Sequence, residues 1–354
     1  MKILTVGSDR KLFEEGSAVL ARQMKNAESL ERLDIIVYSL KDLNLKAKSY
    51  PDVSIEDPRL GKPSRDNLKA NLSIYPTNSL SRFLYSVDAV RIAKNLDKPD
   101  LVSAQDPFES GVAAYLIARY FNVPLHLQLH TDFLSPYFYQ ESVLNKIRYY
   151  IAKFLIRRAD NLRVVTERTK RSVVEAGLQS ADKIQVQPIF VDTEKIKNSP
   201  IKVNLHQKYP QFEFIILMAS RITKEKNIGL AIEAMKEVIT KHPKTGLIIV
   251  GDGPEKEGLE LKAKTYNLTP NIVFENWSDD LPSYYKTANL FLLTSNYEGY
   301  GMTVIEALSA GTPVVMSDVG CAGEVLIHGK NGLVFPVGDL AGLTALLERV
   351  ISTH

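Results

Sequence analysis

The sequence predicts an α/β protein of two doubly wound domains that face each other across a cleft. Three observations carry this. A length of 354 residues exceeds what one hydrophobic core usually organises. Short apolar runs alternate with longer amphipathic stretches from end to end, the pattern of parallel strands joined by helical crossovers. A polar segment carrying Pro200 and Pro210 separates two such series, so the boundary is expected near 192–211, with domains at 1–195 and 196–354.

In the first series strands are predicted at 2–6, 34–40, 101–104, 125–129 and 162–166, with helices at 79–95, 109–121, 143–159 and 167–176. The stretch 41–71 is polar, contains Pro51, Pro58 and Pro63, and reads as a long loop. The second series opens on the run FEFIILMAS from Phe212 and continues at 246–250, 272–274, 290–293, 313–317 and 333–335, with helical patterns between. In such sheets ligands lie outside the carboxyl ends of the strands, which directs attention to the loops that follow them.

Composition narrows the classes. A content of 45% hydrophobic and 24% charged residues with a net charge of +3 is that of a globular protein and gives no support to nucleic-acid binding. The single cysteine, Cys321, excludes an intramolecular disulfide, and no Cys/His cluster at ligand spacing suggests a structural zinc. The N-terminus reads as a strand and a polar turn rather than a secretory signal. No apolar run approaches the roughly 20 residues of a membrane span. A cytoplasmic protein is expected, with contact at the inner face of the membrane left open.

The run 295–339 carries the most chemistry. Glu298 follows the apolar strand LFLLTS, Gly299 and Gly301 flank Tyr300, and MTVIEALSA reads as a helix that ends at Gly311 and Pro313. A strand, a glycine-bearing loop and a helix start make an anion site, because free amides and the helix dipole converge there. Glu298 precedes the helix and Glu306 lies on its second turn. Ionised carboxylates only accept hydrogen bonds, so they suit the hydroxyls of a ribose or a sugar ring. Taken alone, each reads as an ordinary exposed acid.

This run resembles the Glu-x7-Glu signature of the retaining glycosyltransferases of family 4, whose GT-B architecture pairs two Rossmann-like domains. The resemblance extends to the AGTPVV strand start, Glu324, the KNGLVFPVGD end and, upstream, VGDGPE at 250–255. It implies that Glu298 approaches the donor sugar and Glu306 binds the ribose, with Gly301, Met302 and Thr303 on the donor side at the helix start. A departing nucleoside diphosphate gathers negative charge, which fixed cations stabilise. The loop Arg221-Ile-Thr-Lys-Glu-Lys226 resembles the family's arginine and lysine pair, although Ser220 stands where relatives commonly have glycine. Arg221 is expected to supply a planar fork and Lys226 a point charge, with no metal or other cofactor.

His130 closes a predicted strand and resembles the histidine that the family places near the donor sugar and reacting centre. Asp132 reads either as its orienter or as a cap for the next helix. Gly16 reads either as a loop glycine near donor phosphate and acceptor or as an ordinary helix-start glycine. Asp132 and Gly16 are the candidates for the acceptor side. The segment 145–160 interleaves Lys146, Arg148, Lys153, Arg157 and Arg158 with Tyr149, Tyr150, Phe154 and Leu155. A core-facing helix with a solvated cationic face is preferred there to a helix lying on anionic membrane. Trp277 lines a base pocket or packs in a core.

The resemblance implies a retaining transfer of a hexose from a UDP- or GDP-sugar to a hydroxyl of a glycan, lipid or small molecule. The acceptor itself is not specified. A nucleotide-sugar epimerase or a phosphorylase on the same architecture, or a non-catalytic sugar-nucleotide-binding protein, are the alternatives. A nicotinamide oxidoreductase is disfavoured, because VGSDRKLFEEG lacks Gly-x-Gly-x-x-Gly and VGDGPE lacks the third glycine.

Overall fold

The computed structural model of the chain describes residues 1–50 and 71–354. It divides into two compact units. The first comprises Met1–His130, Lys146–Val164 and Ser172–Val186; the second comprises Thr131–Asn145, Val165–Arg171 and Gln187–His354.

The first unit is built on strands β1 (Lys2–Gly7), β2 (Arg32–Val37), β3 (Lys48–Tyr50), β4 (Leu72–Pro76), β5 (Leu101–Ala104), β6 (Leu125–Leu129), β7 (Asn161–Val164) and β8 (Ile184–Val186). They form one sheet in the order β3-β4-β2-β1-β5-β6-β7-β8, parallel except for the β3–β4 pair. This unit carries the helices α1 (Ala18–Ala27), α2 (Tyr85–Ala93), α3 (Glu109–Phe121) and nearly all of α5 (Val143–Ile156), while α4 (Pro136–Glu141) and the first turn of α6 (Glu167–Glu175) belong to the second unit. Leu20 and Ala27 of α1 close a core with Leu33, Ile35, Val37, Leu72 and Ile74. Along β6 the leucines 125, 127 and 129 are buried, while His126 and Gln128 project from the opposite face and are half-buried.

Two predicted elements differ here. The helix expected at 79–95 starts only at Tyr85, after a short 3₁₀ turn at Arg82–Leu84. Ser79 is bridged to Leu40 beyond the ends of β4 and β2, so its backbone groups prolong that strand pairing instead. The loop expected at 41–71 holds a 3₁₀ turn at Lys41–Leu43 and the edge strand β3; residues 51–70 of it lie outside the described residues. Lys48-Ser49-Tyr50 is short and polar, as edge strands commonly are, and so gives no strand signal in the sequence.

The second unit carries β9 (Phe214–Ala219), β10 (Thr245–Val250), β11 (Ile272–Glu275), β12 (Leu290–Leu293), β13 (Val314–Ser317) and β14 (Leu333–Phe335). All are parallel, in the order β11-β10-β9-β12-β13-β14. Its helices are α7 (Thr193–Asn198), α8 (Leu205–Lys208), α9 (Ile228–Lys241), α10 (Lys256–Thr265), α11 (Leu281–Thr287), α12 (Met302–Ser309) and α13 (Leu340–Ser352). β9 and β10 are buried along their whole length because both faces are covered. Ile215 and Leu217 face Tyr285, Val304 and Ala307 on one side; Ile216 and Met218 face Ile228, Met235, Leu343 and Leu347 on the other. The strand order reverses between β9 and β12. The loops that follow these two strands therefore part at the switch point of the sheet, where an open α/β fold leaves a crevice. Both sheets are Rossmann-like, the arrangement of a GT-B protein. Among the described residues no helix is long and apolar enough to cross a membrane.

Candidate functional site

The loops after β9 and β12 are fastened to each other by polar bonds. Thr294 Oγ1 donates to the carbonyls of Lys226 and Asn227 at 2.9 and 3.0 Å, Asn227 Nδ2 donates to Asn296 Oδ1 at 3.0 Å, and the Asn296 amide donates to the Glu225 carbonyl at 2.7 Å. The outcome is that Lys226 Nζ lies 2.5 Å from Glu298 Oε1, with both side chains only 15% and 12% exposed. Ser295 Oγ donates to the same oxygen at 2.8 Å. With Oε1 doubly occupied, Glu298 is fixed in orientation and its Oε2 is left for another donor.

α12 begins immediately beyond. Gly301 is its N-cap, with a φ of +90° that other residues rarely adopt, and no side chain caps the helix. Val304 donates its amide to the Gly301 carbonyl, so the amides of Met302 and Thr303 are the ones presented at the positive end of the dipole. Glu306, one turn further on, accepts a bond of 2.8 Å from the Tyr285 hydroxyl at Oε2. Tyr285 is fully buried, and that burial, reinforced by the Glu306 charge, pushes its hydroxyl well above the usual tyrosine range, so it acts as a fixed donor.

Arg221 lies in the loop that holds Lys226, but its side chain is 78% exposed and its ion pair, at 3.4 Å, is with Glu225. Of the residues singled out in the sequence, the structure thus joins Lys226 to Glu298 and leaves Arg221 and Glu306 with other partners. VGDGPE follows β10 and is tied to the Arg221 loop: the Ile222 amide donates to the Asp252 carbonyl at 2.8 Å and the Glu255 amide to the Ile222 carbonyl at 3.2 Å.

A collar supports the Glu298 loop. Tyr297 stacks edge-on against Phe138 of α4 at 5.6 Å and donates to Glu141 at 2.6 Å. On the other side, Gly320 lets its turn approach closely: a Cβ there would stand 2.6 Å from the Tyr300 carbonyl and 3.0 Å from Glu298 Cβ, at a φ of +53°. Glu324, noted only as part of the resemblance, accepts the first amides of α6 from Glu167 and Arg168 at 3.0 and 2.7 Å. The Arg168 guanidinium in turn donates to the Asp318 carboxylate and to the carbonyls of Asp318 and Ala322. Cys321 lies in this turn, buried, its thiol pushed up to about 12 by desolvation.

His130 belongs to the first unit. Its Nε2 lies 3.1 Å from Gln128 Oε1, which also accepts from Arg163 Nη1 at 3.3 Å; Gln128 Nε2 reaches Ser103 Oγ at 3.5 Å. Arginine can only donate, so the Gln128 oxygen faces it, and the hydrogen-bond network assigns the His130 proton to Nε2. Nδ1 then carries the lone pair. Burial, with the Arg163 and Arg22 charges, lowers the imidazole pKa to about 4, so it is neutral near pH 7. Asp132 accepts from the backbone amides of Leu134 and Ser135 in the turn before α4, whose N-cap is Ser135 and carries no side-chain cap bond. Gly16 precedes Ser17, the N-cap of α1 whose hydroxyl accepts from Leu20 at 3.2 Å, and a Cβ on Gly16 would meet nothing within 4 Å. Trp277 is 53% exposed and does not pack in a core.

Sequence reasoning missed Tyr285, Ser295, Gln128 and Arg163. Ser295 lies three residues before Glu298, a spacing that could have flagged it; the other three carry no local signal. Among the described residues no group of three or more His, Cys, Asp or Glu could hold a metal ion.

Residues 204–354 match the family described as Glycosyl transferases group 1, and residues 51–195 match Glycosyltransferase Family 4. The chain is 28% identical over 264 residues to the sulfoquinovosyl transferase of Arabidopsis thaliana, covering 72% of this chain and 50% of that protein. It is 28% identical over 278 residues to the alpha-monoglucosyldiacylglycerol synthase of Streptococcus pneumoniae, covering 75% and 62%. The chain therefore spans between half and two thirds of the length of these curated relatives. Among solved structures, Anabaena HepE in complex with UDP-glucose superposes with a TM-score of 0.73 at 20% identity, over 100% of this chain and 90% of that one. Sucrose-phosphate synthase from Thermosynechococcus elongatus superposes with a TM-score of 0.75 at 20% identity, over 99% and 90%.

Proposed function

Because the chain belongs to the group 1 and family 4 glycosyltransferases that its two halves match, we propose that it moves a sugar from a nucleoside diphosphate donor to an acceptor hydroxyl. The observation that carries this reading is the Lys226–Glu298 pair beside the uncapped start of α12. The diphosphate is bound by the amides of Met302 and Thr303 and by the helix dipole. Lys226 spends one N–H on Glu298 and has two left for phosphate oxygens. Arg221 exchanges its long contact with Glu225 for the phosphates, which its planar fork suits better. Glu306 keeps Oε2 on Tyr285 and offers Oε1 to the ribose. Glu298 offers Oε2 to a hydroxyl of the donor sugar; within the first unit, neutral His130 holds Nδ1 as an acceptor for a sugar hydroxyl.

As the bond from the anomeric carbon to the diphosphate breaks, charge collects on the leaving oxygens, to which Lys226 and the helix amides donate. The departing phosphate takes the proton of the acceptor hydroxyl as that oxygen bonds to the anomeric carbon on the same face. The anomeric configuration is retained and no side chain is alkylated. Lys226, with Arg221 once it turns from Glu225, supplies the charge stabilisation, and the proposed reaction uses no metal or other cofactor.

UDP-glucose is the first donor to test, since HepE was solved with it, followed by GDP- and ADP-sugars. Calorimetry is expected to find one nucleotide class bound, with affinity falling about tenfold or more in Lys226→Ala, the loss of one charge-assisted bond. A chain that binds no sugar nucleotide would sink the proposal. NMR of the product anomer and turnover in chelator test retention and metal independence separately.

A further inference from the structure

We infer that the outward face of α3 and α5, in the first unit, is a docking surface for an anionic lipid bilayer. The expectation for 145–160 was an apolar side turned to the core and a cationic side turned to water, and the structure corrects half of it. Ala152, Leu155 and Ile156 are buried. On the other side, Ile147, Tyr150 and Phe154, three and four residues apart and so on one stripe, are 52%, 62% and 45% exposed. α3 lies alongside: Tyr115 meets Phe154 edge-on at 5.8 Å, and a Cβ on Gly111 would come within 3.0 Å of Leu155. Leu116 and Tyr120 of α3 add side chains 47% and 57% exposed. Scattered apolar residues on a surface need no explanation, but a shared stripe on two packed helices does.

Charge identifies the occupant. Lys94, Arg119, Lys146, Arg157 and Arg158 are exposed around these residues. No acid occurs between Ser142 and Ala159. Glu109 is engaged by Arg148 at 2.8 Å, Asp97 by Arg32 at 2.8 Å, and Asp160 accepts the Leu125 amide at 2.9 Å. The cations also ride on the rings: the Arg158 guanidinium lies 3.6 Å from the Phe154 centroid and the Lys94 ammonium 4.9 Å from that of Tyr120. A ring that sinks to the acyl boundary beneath a cation held at phosphate level is what an interfacial helix presents to a membrane. A cleft of about 460 Å³ at the C-terminal ends of the two helices is lined by Arg119 and Arg158 and by Asp160, whose carboxylate is bonded to the Leu125 amide.

The test is co-sedimentation of the full chain with vesicles of phosphatidylcholine alone and of phosphatidylcholine with phosphatidylglycerol. Partition is expected to be about tenfold or more stronger on the anionic vesicles and to weaken in high salt. Ile147→Asn with Phe154→Ser, and separately Arg157→Glu with Arg158→Glu, should each weaken it about tenfold while leaving thermal unfolding and UDP binding as in the parent chain. Absence of partition, equal partition on both vesicle types, or partition that both variants leave intact would each overturn the inference. The assay involves no turnover, so its outcome and that of the proposed transfer can fail separately.

Discussion

The loop after β12 and the residue after β6 both stand at the carboxyl ends of parallel strands, yet they hold their polar groups in opposite ways. Glu298 is bonded by an ammonium at 2.5 Å and a hydroxyl at 2.8 Å, so its charge is matched on the spot. Among the described residues His130 has no acid bonded to it, and it sits near two arginines; burial and their charges keep its imidazole neutral. The first arrangement suits a site where charge must appear and be stabilised. The second leaves an uncharged lone pair that accepts a hydrogen bond without adding charge. Two loops of similar topology thus acquire different chemistry from their neighbours alone.

The sharpest way to break this contrast is to remove the matched charge. Lys226→Ala should lower turnover about 10²- to 10³-fold, the range for deleting one preorganised donor to a developing anion, read from initial rates with saturating UDP-glucose. Next comes Gly320→Ala, whose Cβ would press on the Tyr300 carbonyl. It is expected to cost about 1–3 kcal/mol of stability in denaturant titration and to loosen the Glu298 loop. In the first unit, Gln128→Glu places a carboxylate between His130 and Arg163 and should raise the imidazole pKa, at a cost of about tenfold in rate near pH 7. Ring NMR of His130 reads the change directly.

The sign of that titration can be followed in the parent chain as well. The folded pKa of about 4 lies below the 6.5 of an ordinary histidine, so the unfolded chain takes up a proton first as the pH falls. His130 therefore costs no stability above about pH 6.5, and its contribution becomes unfavourable as the pH drops toward 4. Denaturation of His130→Gln across that window should show a shallower loss than the parent. The smallest effect is expected from Tyr285→Phe, about 1 kcal/mol or some fivefold in donor affinity, because Glu306 loses an orienting donor and not its charge.

How much of this was legible depended on how local the cause was. β5, β6 and β12 follow from short apolar runs alone, and α12 follows from its flanking glycines. Glu298 and Lys226 could be picked out individually, but that they meet across 72 residues of chain depends on β9 and β12 being adjacent, which no local pattern states. Tyr285 is one of two consecutive tyrosines in LPSYYKT, and only packing decides which hydroxyl reaches Glu306. For α5 the periodicity gave an apolar stripe without saying that the helix has two, one inward and one outward.

A helix start that no side chain closes does not distinguish the diphosphate of a fresh donor from that of a spent one. Under the proposed transfer, the released nucleotide competes for the same amides and the same lysine. Steady flux then depends on how quickly some other reaction hydrolyses or rephosphorylates that nucleotide, and the rate of sugar transfer becomes a report on the state of the nucleotide pool.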